Sequence, residues 1–274
     1  MVSYPLMQRP RLPLPAAHML GTRARFALTE LMLWASIYPA YLAIRGLTIG
    51  DPEQALSHAT RLIDLERALD LFHETALQQL VGSAVGFLSV YYMVGFAPLL
   101  VTVLGWLAIR HPAHYRYLRS LLFVSLGIAI VFYVLYPTAP PRLVPGLGIA
   151  DTVGMAGHDT GSFAGIRINP YAAMPSMHVG WSVLLAVVGY RATSSRLLRA
   201  FFVAHPLLMA ITVTATGNHY FIDSIAGATA ALAALTMVAL YRRSRSSASG
   251  ARGSIKSLQV VPSIPPACNE PAAA

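Results

Sequence analysis

The chain is short of charge and nearly without cysteine. Of its 274 residues only 11% are charged and only 11 are acidic, whereas ordinary soluble domains carry about a quarter charged residues. So few solvated side chains cannot coat a folded surface against water, which excludes a conventional soluble globule. The single cysteine, Cys268, excludes an internal disulfide and a zinc-type cysteine cluster. No cluster of acidic residues and no internal repeat is present. The first 25 residues are basic and Pro-rich and lead into a full-length apolar run. They lack the pattern of a cleavable signal peptide and read as the start of a signal anchor.

Apolar length is what the chain has in abundance: 55% of residues are hydrophobic and the mean hydropathy is +0.56. A helix needs about 20 apolar residues to cross the hydrocarbon of a bilayer. Six runs qualify, near Phe26 to Leu47, Gly86 to Ile109, Ser120 to Tyr136, Met177 to Tyr190, Ala200 to Thr216 and Tyr220 to Tyr241. The expected fold is therefore all-α, a polytopic membrane protein with a six-transmembrane-helix bundle over residues 26–241. A basic cytoplasmic N-terminus (1–25) precedes it. A disordered cytoplasmic tail (242–274), rich in Ser, Arg, Ala and Pro, follows it. The uncharged stretch Ala76 to Ile109 is 34 residues, about 51 Å as a helix and too long for one crossing, so its first third is expected at the interface or dipping in and returning.

Basic residues give an independent reading of topology, because loops rich in Lys and Arg stay on the cytoplasmic side. Arg9, Arg11, Arg23 and Arg25 precede the first run; Arg110, Arg116 and Arg119 join the second to the third; Arg191, Arg196 and Arg199 join the fourth to the fifth. Arg242, Arg243, Arg245, Arg252 and Lys256 follow the sixth. This places both termini in the cytoplasm of an integral membrane protein, with the plasma membrane as the expected location. The net charge of +9 thus reflects topology. A nucleic-acid partner is not expected, since the cations flank apolar runs and do not gather with aromatics on one surface.

Two segments fall on the outer side. In the first, about 50 to 75, Leu62, Leu65, Leu69, Phe72 and Ala76 recur at helical spacing and predict an interfacial amphipathic helix. Its Glu66, His73 and Glu74 are alternative candidates for substrate selection. The second, about 137 to 173, begins "YPTAPPR". Its prolines end the third helix and hold Arg142 on a stiff, extended connection. There it can clamp an anion such as phosphate or, alternatively, pair with lipid headgroups at the membrane edge.

The stretch "AAMPSMHVGW" (172–181) begins the fourth run. Pro175 and Ser176 are helix-start residues, and the helix N-terminus they open favours an anion. His178 lies in its first turn, as either a structural or a catalytic histidine. "GNHYFID" (217–223) begins the sixth run with His219 and Asp223 four residues apart. On one helical face the carboxylate can accept a hydrogen bond from one ring nitrogen and leave the other as a lone pair. Ionisable groups in a span default to function, and a structural buried pair is the alternative. The topology sends His178, His219 and Arg142 to one outer face. That set suits phosphoryl transfer through a phosphohistidine.

The order "YPTAPPR", "AAMPSMH", "GNHYFID" resembles the phosphatidic acid phosphatase type 2 superfamily, and within it the inositol phosphorylceramide synthase-like branch, over roughly residues 60 to 240. The resemblance implies a six-helix membrane bundle acting without metal or other cofactor. It implies His219 as nucleophile, Asp223 as its orienting partner and His178 as the acid for the leaving oxygen. Arg142 and Ser176 would hold the phosphoryl oxygens, and Asn218 would line the pocket. The broad phosphatase pattern has a Lys and an Arg-Pro in its first motif and a Ser-Arg pair upstream of the nucleophile; Thr212 and Val213 stand at that upstream position here. This favours transfer from a lipid phosphate or phospholipid donor to a small polyol such as inositol over hydrolysis by water. Two further readings stand beside it: a proton-coupled transporter, and a metal site of His178, His219 and Asp223 with His158 or Asp159 as a further ligand.

Overall fold

Helices follow the apolar runs, and breaks fall where glycine and proline punctuate them. A computed structural model describes residues 16–47, 50–155, 162–163, 166–167 and 169–258. Five helices among the described residues are long and apolar enough to cross a membrane: Ala24–Ile44, Glu74–Arg110, Pro112–Leu135, Arg196–Ala215 and Phe221–Ser246. The chain is an integral membrane protein built from helices.

By internal packing it divides into two units, residues 1–49 with 159–169 and residues 50–158 with 170–274. The smaller holds α1 (Ala16–Leu47), which starts ten residues before the expected span and includes Pro39, and an antiparallel pairing of β1 (Ser162–Phe163) with β2 (Ile166–Arg167). The larger contains everything that follows.

In the larger unit α2 (Pro52–Ala68) is capped by Asp51, whose side chain accepts the Glu53 N–H, with Pro52 at the first helical position. Its inward face is Ala55, Ala59, Leu62, Ile63 and Glu66, whereas Leu65 and Leu69, expected on the same apolar face as Leu62, are exposed. Leu62 thus parts from the other leucines of the expected apolar face and packs inward with the alanines. Small residues let α2 lie close against Tyr220 and Ala139.

The long run Glu74–Arg110 is broken, as its excess length demands. α3 (Glu74–Val81) ends at Gly82, whose φ of +56° no β-substituted residue adopts readily. A 3₁₀ turn, α4 (Val85–Val90), a π turn over Tyr91–Gly95 and α5 (Phe96–Arg110) complete it. The next helix, α6 (Pro112–Leu135), ends just before the proline-rich stretch. Arg142 lies in a 3₁₀ turn, Pro141–Leu143, and not on the extended connection expected for it; Pro140 and Val144, which flank the turn, have extended dihedrals. A short helix, α7 (Thr152–Met155), follows.

The last three helices are α8 (Met177–Ala192), α9 (Arg196–Ala215) and α10 (Phe221–Leu258). With 16 residues α8 is about 24 Å long, shorter than the hydrocarbon thickness of about 30 Å. It packs against α5, α6, α9 and α10, and its Leu184, Leu185 and Val188 are fully buried. Helix α10 runs past Tyr241 to Leu258, through residues expected as a disordered tail. Once a long helix is nucleated, Ala, Arg and Ser extend it at little cost per residue. Residues 259–274 lie outside the described residues.

The crossing of α8 and α10 depends on two glycines. A Cβ on Gly227 would press into the carbonyl of Ser176, and one on Gly180 would meet the Gly227 carbonyl oxygen at 2.7 Å. By contrast, a Cβ on Gly105 of α5 meets nothing within 4 Å. Gly227→Ala should therefore destabilise the protein by about 1–3 kcal/mol. Gly105→Ala should stabilise it by up to about 1 kcal/mol through helix propensity. Thermal unfolding in detergent checks the opposite signs; equal effects would contradict the close crossing.

Candidate active site

The site begins where α9 unravels. The Val213 carbonyl accepts N–H bonds from both Asn218 (3.0 Å) and His219 (3.1 Å), and Gly217 reverses the chain with φ +69°. A Cβ on Gly217 would meet Ile149 Cγ2 at 2.7 Å and Arg142 Cβ at 3.1 Å. Its carbonyl accepts the Arg142 N–H at 3.0 Å. This backbone contact joins the arginine segment to the histidine segment, and the "GN" turn signal just after α9 is the trace it leaves in sequence.

His219 precedes α10, and Asp223 is the third residue within it. The two do not share a helical face as expected. They meet because the carboxylate at the third helical position reaches back over the helix start. His219 Nδ1 lies 3.4 Å from Asp223 Oδ2, with the Asp223 side chain fully buried and that of His219 only 6% exposed. The same Oδ2 accepts the Tyr220 N–H at 3.0 Å, and the Asp223 carbonyl accepts the Ser176 N–H at 3.0 Å. One residue thus lies beside the histidine, closes the first turn of α10 and ties it to the start of α8, while His219 Nδ1 is buried without a hydrogen bond.

Two more carboxyls complete this helix start. Glu74 Oε1 accepts the Phe221 N–H at 3.2 Å, and Glu66 Oε1 accepts the Ile222 N–H at 2.7 Å. Both glutamates are fully buried. Burial, reinforced by the neighbouring Glu74 carboxyl, pushes the Glu66 pKa up to about 9, although the Ile222 N–H pulls it down. Sequence reasoning offered these residues for substrate selection together with His73, which is exposed at the start of α3.

His178 stands in the first turn of α8 against Tyr92 (ring centroids 4.5 Å apart) and Phe96 (5.1 Å), with the His219 ring at 6.4 Å. Sequence reasoning missed both aromatic residues. The π turn brings Tyr92 onto His178 while Tyr91 Oη lies 2.8 Å from His205 Nε2. Such turns inside helices recur at functional sites.

Ser176 is the N-cap of α8 and fully buried, yet its Oγ makes no hydrogen bond. Arg142 has a side chain only 6% exposed, and its buried Nε and Nη1 make no hydrogen bond; Asp151 Oδ1 lies 3.6 Å from Nε. Asp151 itself is held by the Gly154 N–H at 2.9 Å. Asn218 lies beside His219 in sequence, with its Nδ2 donating to Thr216 Oγ1 at 2.8 Å. Around them Tyr220 Oη donates to the Ala139 carbonyl, His58 Nδ1 to the Pro137 carbonyl, and Gln78 Nε2 to the carbonyls of Ala215 and Ala150. These bonds hold the arginine loop against the helices. None had a local signal, because each partner is distant in sequence.

No group of three or more His, Cys, Asp or Glu side chains is placed to hold a metal ion among the described residues. His158 and Asp159 lie outside the described residues.

Against known proteins, the model of the PAP2 superfamily matches residues 60–237, a range that contains Glu66, Glu74, Arg142, Ser176, His178, His219 and Asp223. Neither the curated proteins nor the solved structures include a match. With well over half its length in that match, the chain belongs to the PAP2 superfamily, and it is a membrane enzyme of the phosphatase/phosphotransferase type.

Proposed function

We propose that the protein is a lipid phosphotransferase of the inositol phosphorylceramide synthase-like branch. It moves a phosphoryl or phospho-headgroup from a lipid phosphate or phospholipid donor to a small polyol such as inositol. The observation that carries this reading is the His219–Asp223 pair at 3.4 Å with the His178 ring beside it.

With Nδ1 turned to Asp223, His219 Nε2 is the nucleophile. It attacks phosphorus, the bond from phosphorus to the leaving oxygen breaks, and His178 gives that oxygen a proton. The acceptor hydroxyl then loses its proton to His178 and attacks the phosphohistidine; the P–N bond breaks and its electron pair returns to Nε2. The Asp223 carboxylate steadies the imidazolium. Arg142 Nε and Nη1, buried without hydrogen-bond partners, are suited to the phosphoryl oxygens, as is the Ser176 hydroxyl at the start of α8. Asn218 lines the same pocket.

Charge supports a diester donor over a dianionic monoester. Arg142 is faced by Asp151, and Thr212 and Val213, both fully buried in α9, supply no cation where the broad phosphatase pattern has arginine. Water as acceptor would make the same histidines a phosphatase. We also propose that α8 is the sixth crossing of a catalytic domain over 26–241, and that α2 lies at the interface with Leu65 and Leu69 toward lipid. The termini are cytoplasmic, and the site opens on the outer face of the plasma membrane.

Purified protein mixed with phosphatidic acid or phosphatidylinositol, with and without isotope-labelled inositol or a sugar alcohol, should yield a phosphate ester of the added polyol detectable by mass spectrometry. Free phosphate from phosphatidic acid, or phosphatidic acid or inositol phosphate from phosphatidylinositol, with no ester of the added polyol, would assign hydrolysis instead. His219→Ala should lower turnover by at least 10³-fold, on the order of a lost nucleophile; full activity would refute the mechanism. For topology, Cys268 is the one thiol to follow. In intact cells it should resist a membrane-impermeant maleimide and react only after permeabilisation, and labelling in intact cells would reverse the assigned orientation.

A further inference from the structure

Glu66 and Glu74 come from α2 and α3, 156 and 147 residues away in sequence from the amides they accept, and the reaction described above leaves both without a part. We propose that they act as one paired carboxyl clamp on the start of α10, positioning Asp223 and through it His219. The inference rests on the catalytic reading of His219.

Each glutamate gives Oε1 to one backbone N–H, and each Oε2 is buried without a hydrogen-bond partner. Two ionised carboxylates in such a place repel and leave four acceptors facing too few donors. One proton between them removes both problems: Glu66 carries it and donates to Glu74, while both Oε1 atoms keep their amides. The clamp fixes the first two helical residues, Phe221 and Ile222. Asp223 is the next, and its Oδ2 accepts the Tyr220 N–H and lies 3.4 Å from His219 Nδ1, which makes no hydrogen bond. Fraying of this turn would move that oxygen away from the histidine. Positioning is thus transmitted through one turn of backbone.

Glu66 is faced by Glu74 from α3 and by Tyr220 and Asp223 at the start of α10, with His219 beyond; Tyr136 and Tyr171 pack around the Tyr220 cluster, and His58 on α2 stacks on Tyr136. Burial and Glu74 raise the Glu66 pKa from 4.5 to about 9. The folded chain therefore keeps a proton that the unfolded chain releases. The clamp contributes fully below about pH 4.5, and its contribution falls as pH rises and is gone above about 9. Glu66→Gln reproduces the protonated acid at every pH, its carbonyl accepting from Ile222 and its amide donating to Glu74.

The test uses the full chain in lipid nanodiscs with ¹⁵N-labelled histidine, the His219 signals being assigned by their loss in His219→Gln. In the wild type the Nδ1 signal should keep its aspartate-bonded character to about pH 9 and lose it above. Glu66→Gln should keep it above that pH, and Glu66→Ala should lose it at neutral pH. With phosphatidylinositol vesicles and inositol, Glu66→Ala should lower kcat at least tenfold at unchanged KM, with Glu66→Gln restoring it. A folded Glu66→Ala with wild-type His219 signals, or the same alkaline limit in wild type and Glu66→Gln, would overturn the clamp. So would a raised KM at unchanged kcat, which would place the carboxyls in substrate binding. If Glu66→Ala does not fold, the comparison of wild type with Glu66→Gln above pH 9 decides. Absence of turnover in the wild type with every lipid probe counts against the proposed reaction, while the His219 spectra still decide the clamp.

Discussion

Three carboxyl groups close the first turn of α10, and the site is arranged around that closure. Asp223, Glu74 and Glu66 accept the N–H groups of Tyr220, Phe221 and Ile222 in turn. A helix start that is buried must satisfy these donors, since water cannot reach them. Such hydrogen bonds contribute about 0.5–1.5 kcal/mol to a neutral acceptor and about 1.5–3 kcal/mol to a charged one, which offsets part of the cost of burying carboxyls. The three acceptors come from α2, α3 and α10 itself, so the same bonds that finish the helix fasten the outer helices to the bundle end. His219 is held at this junction by its neighbour Asp223.

Carboxyl groups fill the start of α10, whereas the start of α8 has none. The start of α8 is fixed by a backbone bond from Ser176 to Asp223, and its N-cap hydroxyl makes no hydrogen bond. Arg142 is tied to the histidine segment because its own N–H is held by the Gly217 carbonyl. In the proposed reaction an anion would meet α8 and Arg142, and the nucleophile would stand at the acidic start of α10.

The spans and the motifs were legible in the sequence, for different reasons. Hydrocarbon thickness sets a length that composition alone reveals, so the runs near 120–136 and 200–216 became α6 and α9 with only their ends moved. The histidines, Asp223 and Arg142 stood out because ionisable groups near spans are rare. What was not legible depended on contacts distant in sequence. The glutamates gave no local sign that they would cap α10. Gly180 and Gly227 were invisible as a pair until α8 and α10 crossed. Leu65 and Leu69, read with Leu62 as one apolar face of an interfacial helix, are exposed, and the alanines that pack inward gave no comparable signal. His219 and Asp223 were brought together by a helix start and not by a helical face, a distinction that four-residue spacing cannot make.

The measurement that tests the account most directly is the location of the phosphoryl adduct. Protein turning over phosphatidylinositol would be quenched in alkali, where phosphohistidine survives, digested, and mapped by mass spectrometry. The expected result is one adduct, a phosphoryl group still esterified to the part of the donor that did not leave, on the peptide that contains His219 and none on the peptide that contains His178. Turnover with no adduct, or with the adduct on His178, would contradict it.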